Sequence, residues 1–163
     1  MKFHLEHPLP KDAVNAWKTI TSAEFATQSY AQSGTKREVI SIEERNGLEY
    51  SSLRIIMEEE LPSIAAKALG SNRLSWIQNQ IMDNSRQHMR WKISIPGKDF
   101  LQAEGVFYLQ VTPTGCTRIV DGDVHVKIPL MGRKIEEHIC KKLQESYEKS
   151  AKFTIEWFKK NEG

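Results

Sequence analysis

Cysteine is scarce: the chain has Cys116 and Cys140 and no others in 163 residues. Two thiols do not make a disulfide scaffold, so the fold must rest on an apolar core. Long hydrophobic runs are missing as well. No stretch of about 18 apolar residues occurs, so no segment reads as a membrane-spanning helix. The opening Met1-Lys2-Phe3-His4-Leu5-Glu6-His7 breaks apolar residues with charged or polar ones and lacks the continuous apolar core of a secretory signal. Reduced thiols in a cytoplasmic protein are therefore the expectation. Nor is there an excess of one charge: 23 Lys plus Arg stand against 21 Asp plus Glu, a net +2. That balance makes no long-range field for an anionic partner, so neither nucleic-acid binding nor stable membrane insertion is expected. No linker rich in Gly, Ser or Pro and no repeat divides the chain, and residues 1–163 read as one domain.

What is present suits a soluble fold. The chain is 39% hydrophobic and 27% charged, which excludes disorder for the chain as a whole. A domain of this length buries roughly 70% of its unfolded surface.

Residues 2–7 alternate as a short strand, which Pro8 and Pro10 are expected to stop. Asp12 is placed to cap a helix holding Ala13, Val14, Ala16, Trp17 and Ile20, and Ser22 a second one holding Phe25, Ala26 and Tyr30. Gly34 closes it. Strands follow. Val39, Ile40 and Ile42 precede Asn46-Gly47, the strongest short hairpin signal, because both residues accept positive φ. Leu53, Ile55 and Met57 alternate after the turn, and Leu61-Pro62 ends that strand. Ser63 to Leu69 reads as one or two helical turns closed by Gly70.

A second hairpin runs from Leu74 to Met82, turns at Asp83-Asn84-Ser85 and returns with Met89, Trp91, Ile93 and Ile95 facing inward. Beyond Pro96-Gly97, Leu101, Ala103, Phe107, Leu109 and Val111 share one parity, with Gly105 among them as a bend or bulge. After the turn at residues 112–115, the last strand puts Val120, Val124 and Val126 on one face, followed by Ile128. Thr117, Asp121, Asp123, His125 and Lys127 take the other face. From Arg133 to Lys160 there is neither Pro nor Gly. Ile135, Ile139, Leu143, Tyr147, Ala151, Ile155 and Phe158 recur at helical spacing, and Glu137/Lys141, Glu145/Lys149 and Glu148/Lys152 are placed for i,i+4 attraction.

The expected order is a strand, two short helices, six strands joined mainly by tight turns, and one long amphipathic helix. Tight turns make neighbouring strands antiparallel. The apolar face of the sheet needs a cover, and the last helix is the one large apolar cover available. A seven-stranded sheet twists and curls, and a curled sheet cannot touch a straight helix everywhere. The gap between them is the natural place for an apolar cavity.

Certain passages carry a resemblance: Leu61-Pro62, Ile95-Pro96-Gly97, Ala103-Glu104-Gly105, the run from Gly122 through Ile128-Pro129-Leu130-Met131-Gly132, and Lys134-Ile135-Glu136. With them the chain resembles the START-like superfamily, the helix-grip domains that include birch-pollen-allergen and polyketide-cyclase relatives. Within it, the resemblance is to a bacterial family of unknown function. The resemblance implies an α+β helix-grip fold, with a curved seven-stranded antiparallel sheet around the C-terminal helix. It also implies a cavity for lipids, sterols or other hydrophobic molecules. The nearer family brings no catalytic residues.

Chemistry-bearing residues give little else. His4, His7, His88, His125 and His138 include no His-x-x-x-His pair, so no metal is expected. His4 lies in a strand and His7 at its end, with side chains pointing differently. Asp121, Asp123 and His125 share a strand face, but Val120, Val124 and Val126 claim the core, which leaves the polar set in water. Glu58-Glu59-Glu60 reads as solvated surface, and Cys140 as a packing residue beside Ile139.

The expected ligand wall is therefore apolar: Leu53, Ile55, Met57, Met89, Trp91, Ile93, Phe107, Leu109 and Val124 from the strands, and Ile135, Ile139, Leu143 and Tyr147 from the helix. Ser51, Gln78, Gln80 and Tyr147 are the polar anchors. The expected function is non-enzymatic binding or carriage of a hydrophobic, lipid-like molecule without a cofactor, the short helices and residues 61–71 rimming the entrance. A cyclase-type enzyme would instead need a titratable group in the cavity, with Glu104 and His88 the nearest strand candidates. A protein–protein adaptor would need a filled core and an outer apolar patch, to which Ile56, Ile77 and Ile81 would contribute.

Overall fold

The structure, a computed structural model, describes residues 1–161 except 64, 65, 68 and 69. Its elements are β1 (Lys2–Leu9), α1 (Ala13–Ile20), α2 (Ala23–Gln32), β2 (Thr35–Arg45), β3 (Leu48–Glu60), β4 (Arg73–Asp83), β5 (His88–Ile95), β6 (Lys98–Thr112), β7 (Gly115–Val126) and α3 (Gly132–Asn161). The strands form one curved antiparallel sheet of seven, in the order β1-β7-β6-β5-β4-β3-β2. This is the helix-grip architecture. The helical turns expected over residues 63–69 fall partly outside the described residues.

Local chemistry sets most boundaries. The Asp12 side chain accepts from the Asn15 amide at 3.0 Å and that of Ser22 from the Phe25 amide at 3.3 Å, each satisfying an orphan donor at a helix start. Asn46 (φ 54°) and Gly47 (φ 79°) make the tight turn between β2 and β3 with both residues left-handed.

Two expectations need correction. Pro8 does not stop β1: it lies inside the strand, opposite Thr117, and β1 runs on to Leu9. A proline is tolerated there because β1 is an edge strand, with no neighbour waiting for the missing N–H. Along α3, the ion pairs that close are Arg133–Glu137 (3.6 Å) and Lys142–Glu145 (3.7 Å), not the three expected. These are exposed long side chains, and spacing alone does not hold them in one geometry.

Register assigns the faces. Phe3, Leu5, His7 and Leu9 lie opposite Gly122, Val120, Arg118 and Cys116. The same face continues through Ala103, Phe107 and Leu109 on β6, Met89, Trp91 and Ile93 on β5, Gln78 and Gln80 on β4, and Ser51 and Leu53 on β3. The core gathers on this concave side, where Leu5, Leu9, Val120, Val124 and Phe107 pack with Ala16 and Trp17 of α1 and Phe158 of α3. The backbone of α3 runs against β7 and β1, α1 against β6, and α2 against β2. Phe25 of α2 closes on the far end of α3, 5.6 Å from the Phe153 ring and 5.4 Å from Trp157.

Candidate functional site

The inward stripe of α3 changes character along its length. Ala151, Thr154 and Phe158 are buried, Phe158 within the core on the sheet. Ile135, Ile139, Leu143 and Tyr147, on the same stripe nearer the N-terminal end, are only half-buried. On the concave face of the sheet, Met89, Ile93 and Leu101 are also half-buried. The helix lies on β1 and β7, while the concave face bends away towards β3 and β4. The apolar surface between is covered incompletely, as a straight rod inside a curved wall requires. Just before α3, Leu130 (φ 66°) and Met131 stand exposed.

The expected wall residues divide accordingly. All thirteen lie on the concave face or on the inward stripe of α3. Leu53, Ile55, Trp91, Phe107, Leu109 and Val124 are buried, while Met57, Met89, Ile93, Ile135, Ile139, Leu143 and Tyr147 keep part of their surface free. Three of the four polar anchors, Ser51, Gln78 and Gln80, are hydrogen-bonded on β3 and β4. Ser51 Oγ donates to Gln80 Oε1 at 3.4 Å, Gln78 Nε2 to the Tyr30 hydroxyl at 3.4 Å, and Trp76 Nε1 to Gln78 Oε1 at 3.4 Å. Burial pushes both tyrosines up, and Tyr147 reaches about 12, against the pull of Arg118 and with a smaller push from Tyr30. The buried Trp91 Nε1 has no partner among the described residues.

Sequence reasoning passed over Arg118, His7 and Tyr30 as interior polar groups. The signal for Arg118 was its parity: an even-numbered position among Cys116, Val120 and Val124, where a cation is out of place. In the structure Arg118 is buried against α3, its guanidinium 5.4 Å from the centre of the Tyr147 ring. His7 shares this face and its pKa is lowered, first by burial and then by Arg118, which favours its neutral form.

The remaining titratable candidates face outward. Glu104 is in register with Asp123 and Lys92, and the His88 ring stacks on Tyr108 at 6.0 Å. His4 is held by Glu6 at 2.9 Å and by Asp121, and His125 lies 3.1 Å from Asp123. Lys2, Arg90, Lys92, Ile81 and Val106 share this outer face, whose shallow groove of about 1000 Å³ crosses the backbone at Gly105 and Gly122. Ile56, Ile77 and Ile81 also lie outward, half-buried, while Val39, Ile40 and Ile42 on the edge strand are the more exposed apolar residues. Among the described residues no three His, Cys, Asp or Glu side chains converge as a metal centre requires, and no helix is long and apolar enough to cross a membrane.

A curved sheet gripping one long helix is the helix-grip fold, and solved structures share it over nearly the whole chain. A START superfamily protein from Mycobacterium smegmatis superposes with TM-score 0.62 at 16% identity, covering 97% of each chain. Ara h 8.0201 gives TM-score 0.63 at 13% identity, covering 96% of this chain and 98% of its own. The Zhui aromatase/cyclase from Streptomyces sp. R1128 gives 0.59 at 12% identity, covering 96% and 90%. At such identities the likeness is one of fold. Residues 4–158 match the family described as "Protein of unknown function (DUF2505)", and the chain belongs to that family. None of the curated proteins matches it.

Proposed function

We propose that this protein binds a hydrophobic small molecule between the N-terminal half of α3 and the concave face of β3–β6. The observation that carries this reading is the half-burial of Ile135, Ile139, Leu143, Met89, Ile93 and Leu101 inside the grip, while the far end of the same helix is closed. Apolar side chains facing one another across an incompletely covered interior gain by covering that surface, at roughly 25 cal/mol per Å² before ordering costs. The thirteen wall residues are the proposed contacts, with Ser51, Gln78, Gln80 and Tyr147 as polar anchors that orient the molecule. The START superfamily protein, Ara h 8.0201 and the aromatase/cyclase share the architecture. They support a site in this place rather than any particular ligand.

The test is native mass spectrometry of the purified full chain together with titration by Nile red, a neutral apolar dye. A co-purifying apolar mass, or saturable dye fluorescence lost in Ile139→Trp, is the expected result. Failure to retain or take up any apolar molecule would count decisively against the reading.

A further inference from the structure

Arg118 carries a charge that no carboxylate among the described residues pairs with. It leaves β7 on the concave side and is 2% exposed. Its Nη1 donates to Ser150 Oγ at 3.2 Å and its Nη2 to the Tyr147 carbonyl at 2.8 Å, and His7 Nδ1 lies 3.4 Å from Nη2. All three partners are neutral. The buried Nε–H has no acceptor among the described residues. Among the described residues no carboxylate acts on this guanidinium; Glu148, exposed on α3, acts on His7 instead. Burial lowers Arg118 to about 10, which leaves it a cation at neutral pH. A buried cation without a counter-ion is destabilising, and its five donors are meant for an oxyanion.

Position adds to the argument. Arg118 bonds to Tyr147 and Ser150, where the inward stripe of α3 passes from half-buried to buried. It therefore stands at the closed end of the space proposed for the ligand. From there Leu143, Ile139 and Ile135 lead towards the open end as an apolar track.

Resting on the reading of that interior as a binding space, we propose that its ligand is an apolar chain ending in a carboxylate, and that Arg118 receives the carboxylate through its free Nε–H. One guanidinium balances one monoanion. A phosphate dianion would leave a second buried charge, and a neutral lipid would leave Arg118 unmatched.

The experiment displaces Nile red from the native full chain with dodecanoic acid, 1-dodecanol or dodecyl phosphate near neutral pH, and repeats the series with Arg118→Met. On the native chain the acid should act at a concentration at least about tenfold below the alcohol, and in Arg118→Met that preference should vanish while the alcohol stays within about threefold. Equal displacement by acid and alcohol on the native chain overturns the assignment and leaves the apolar-binding reading standing. Stronger displacement by the phosphate overturns the choice of carboxylate, and a preference that survives in Arg118→Met overturns the role of Arg118. A native chain that binds neither dye, acid nor alcohol refutes the underlying reading itself. The native-chain comparison decides even where the variant fails to fold.

Discussion

Gly105 on β6 lies directly opposite Gly122 on β7, and the rings of Trp91 and Phe3 occupy the space that side chains there would need. A Cβ on Gly105 would come within 2.0 Å of the Asp121 carbonyl oxygen and 2.7 Å of the Trp91 ring. One on Gly122 would meet the Phe3 ring at 2.4 Å. The paired glycines let two large rings lie flat on the sheet and close this part of the concave face.

Gly105→Ala is accordingly expected to destabilise more than Gly122→Ala. Backbone cannot step aside, whereas the Phe3 ring can turn. Costs of about 3 kcal/mol and 1–2 kcal/mol respectively are expected from overpacking. Urea denaturation followed by tryptophan fluorescence measures both, and equal small losses would contradict this account.

The indole N–H of Trp17, itself buried on α1, donates to Asn84 Oδ1 at 2.8 Å in the turn between β4 and β5. Asn84→Ala removes the acceptor and leaves the donor buried, at a cost of about 1–3 kcal/mol. Asn84→Asp keeps the acceptor and should retain most of the stability. Thermal unfolding of the two variants separates the outcomes.

His4 and His7 stand three residues apart on opposite faces of β1 and should titrate on opposite sides of 6.5. Hydrogen bonds that charged His4 donates to Glu6 and then to Asp121 favour its protonated form and raise it. Burial, then Arg118, lower His7 against the pull of Glu148. The contribution of His4 to stability is complete below 6.5 and is lost as pH rises through its higher folded value. That of His7 is present above 6.5 and is lost as pH falls through its lower folded value. NMR titration of the imidazole Cε1–H resonances reads both, and coincident midpoints would refute the assignment of faces to charges.

Burial also ranks the wall residues. Ile55 is fully buried, so Ile55→Ala leaves a cavity and should cost about 3 kcal/mol. Ile139 is half-buried beside the proposed space, so Ile139→Ala should cost about 1 kcal/mol or less. Chemical denaturation of the two variants gives the comparison. A cost at Ile139 as large as at Ile55 would mean that the interior is filled there.

The sequence carried the order of elements, both helix caps, the Asn46-Gly47 turn and the parity of Leu101 to Val111 because each depends on neighbours within a few residues. Period two and period 3.6 also brought the thirteen wall residues to the inward faces. Pro8 was misread because a proline stops a strand only where a second neighbour waits for its N–H. Whether β1 lies at an edge is a property of the finished sheet.

Arg118 shows where the local pattern runs out. Its parity was visible beside Val120 and Val124, but not that α3 would cross above it, that Tyr147 and Ser150 would meet its donors, or that no carboxylate would. Chain order and face follow from backbone periodicity, which is local. Which polar groups end up unmatched in the interior follows from how far the curved sheet departs from a straight helix, and that distance exists only once residues more than a hundred positions apart have been brought together.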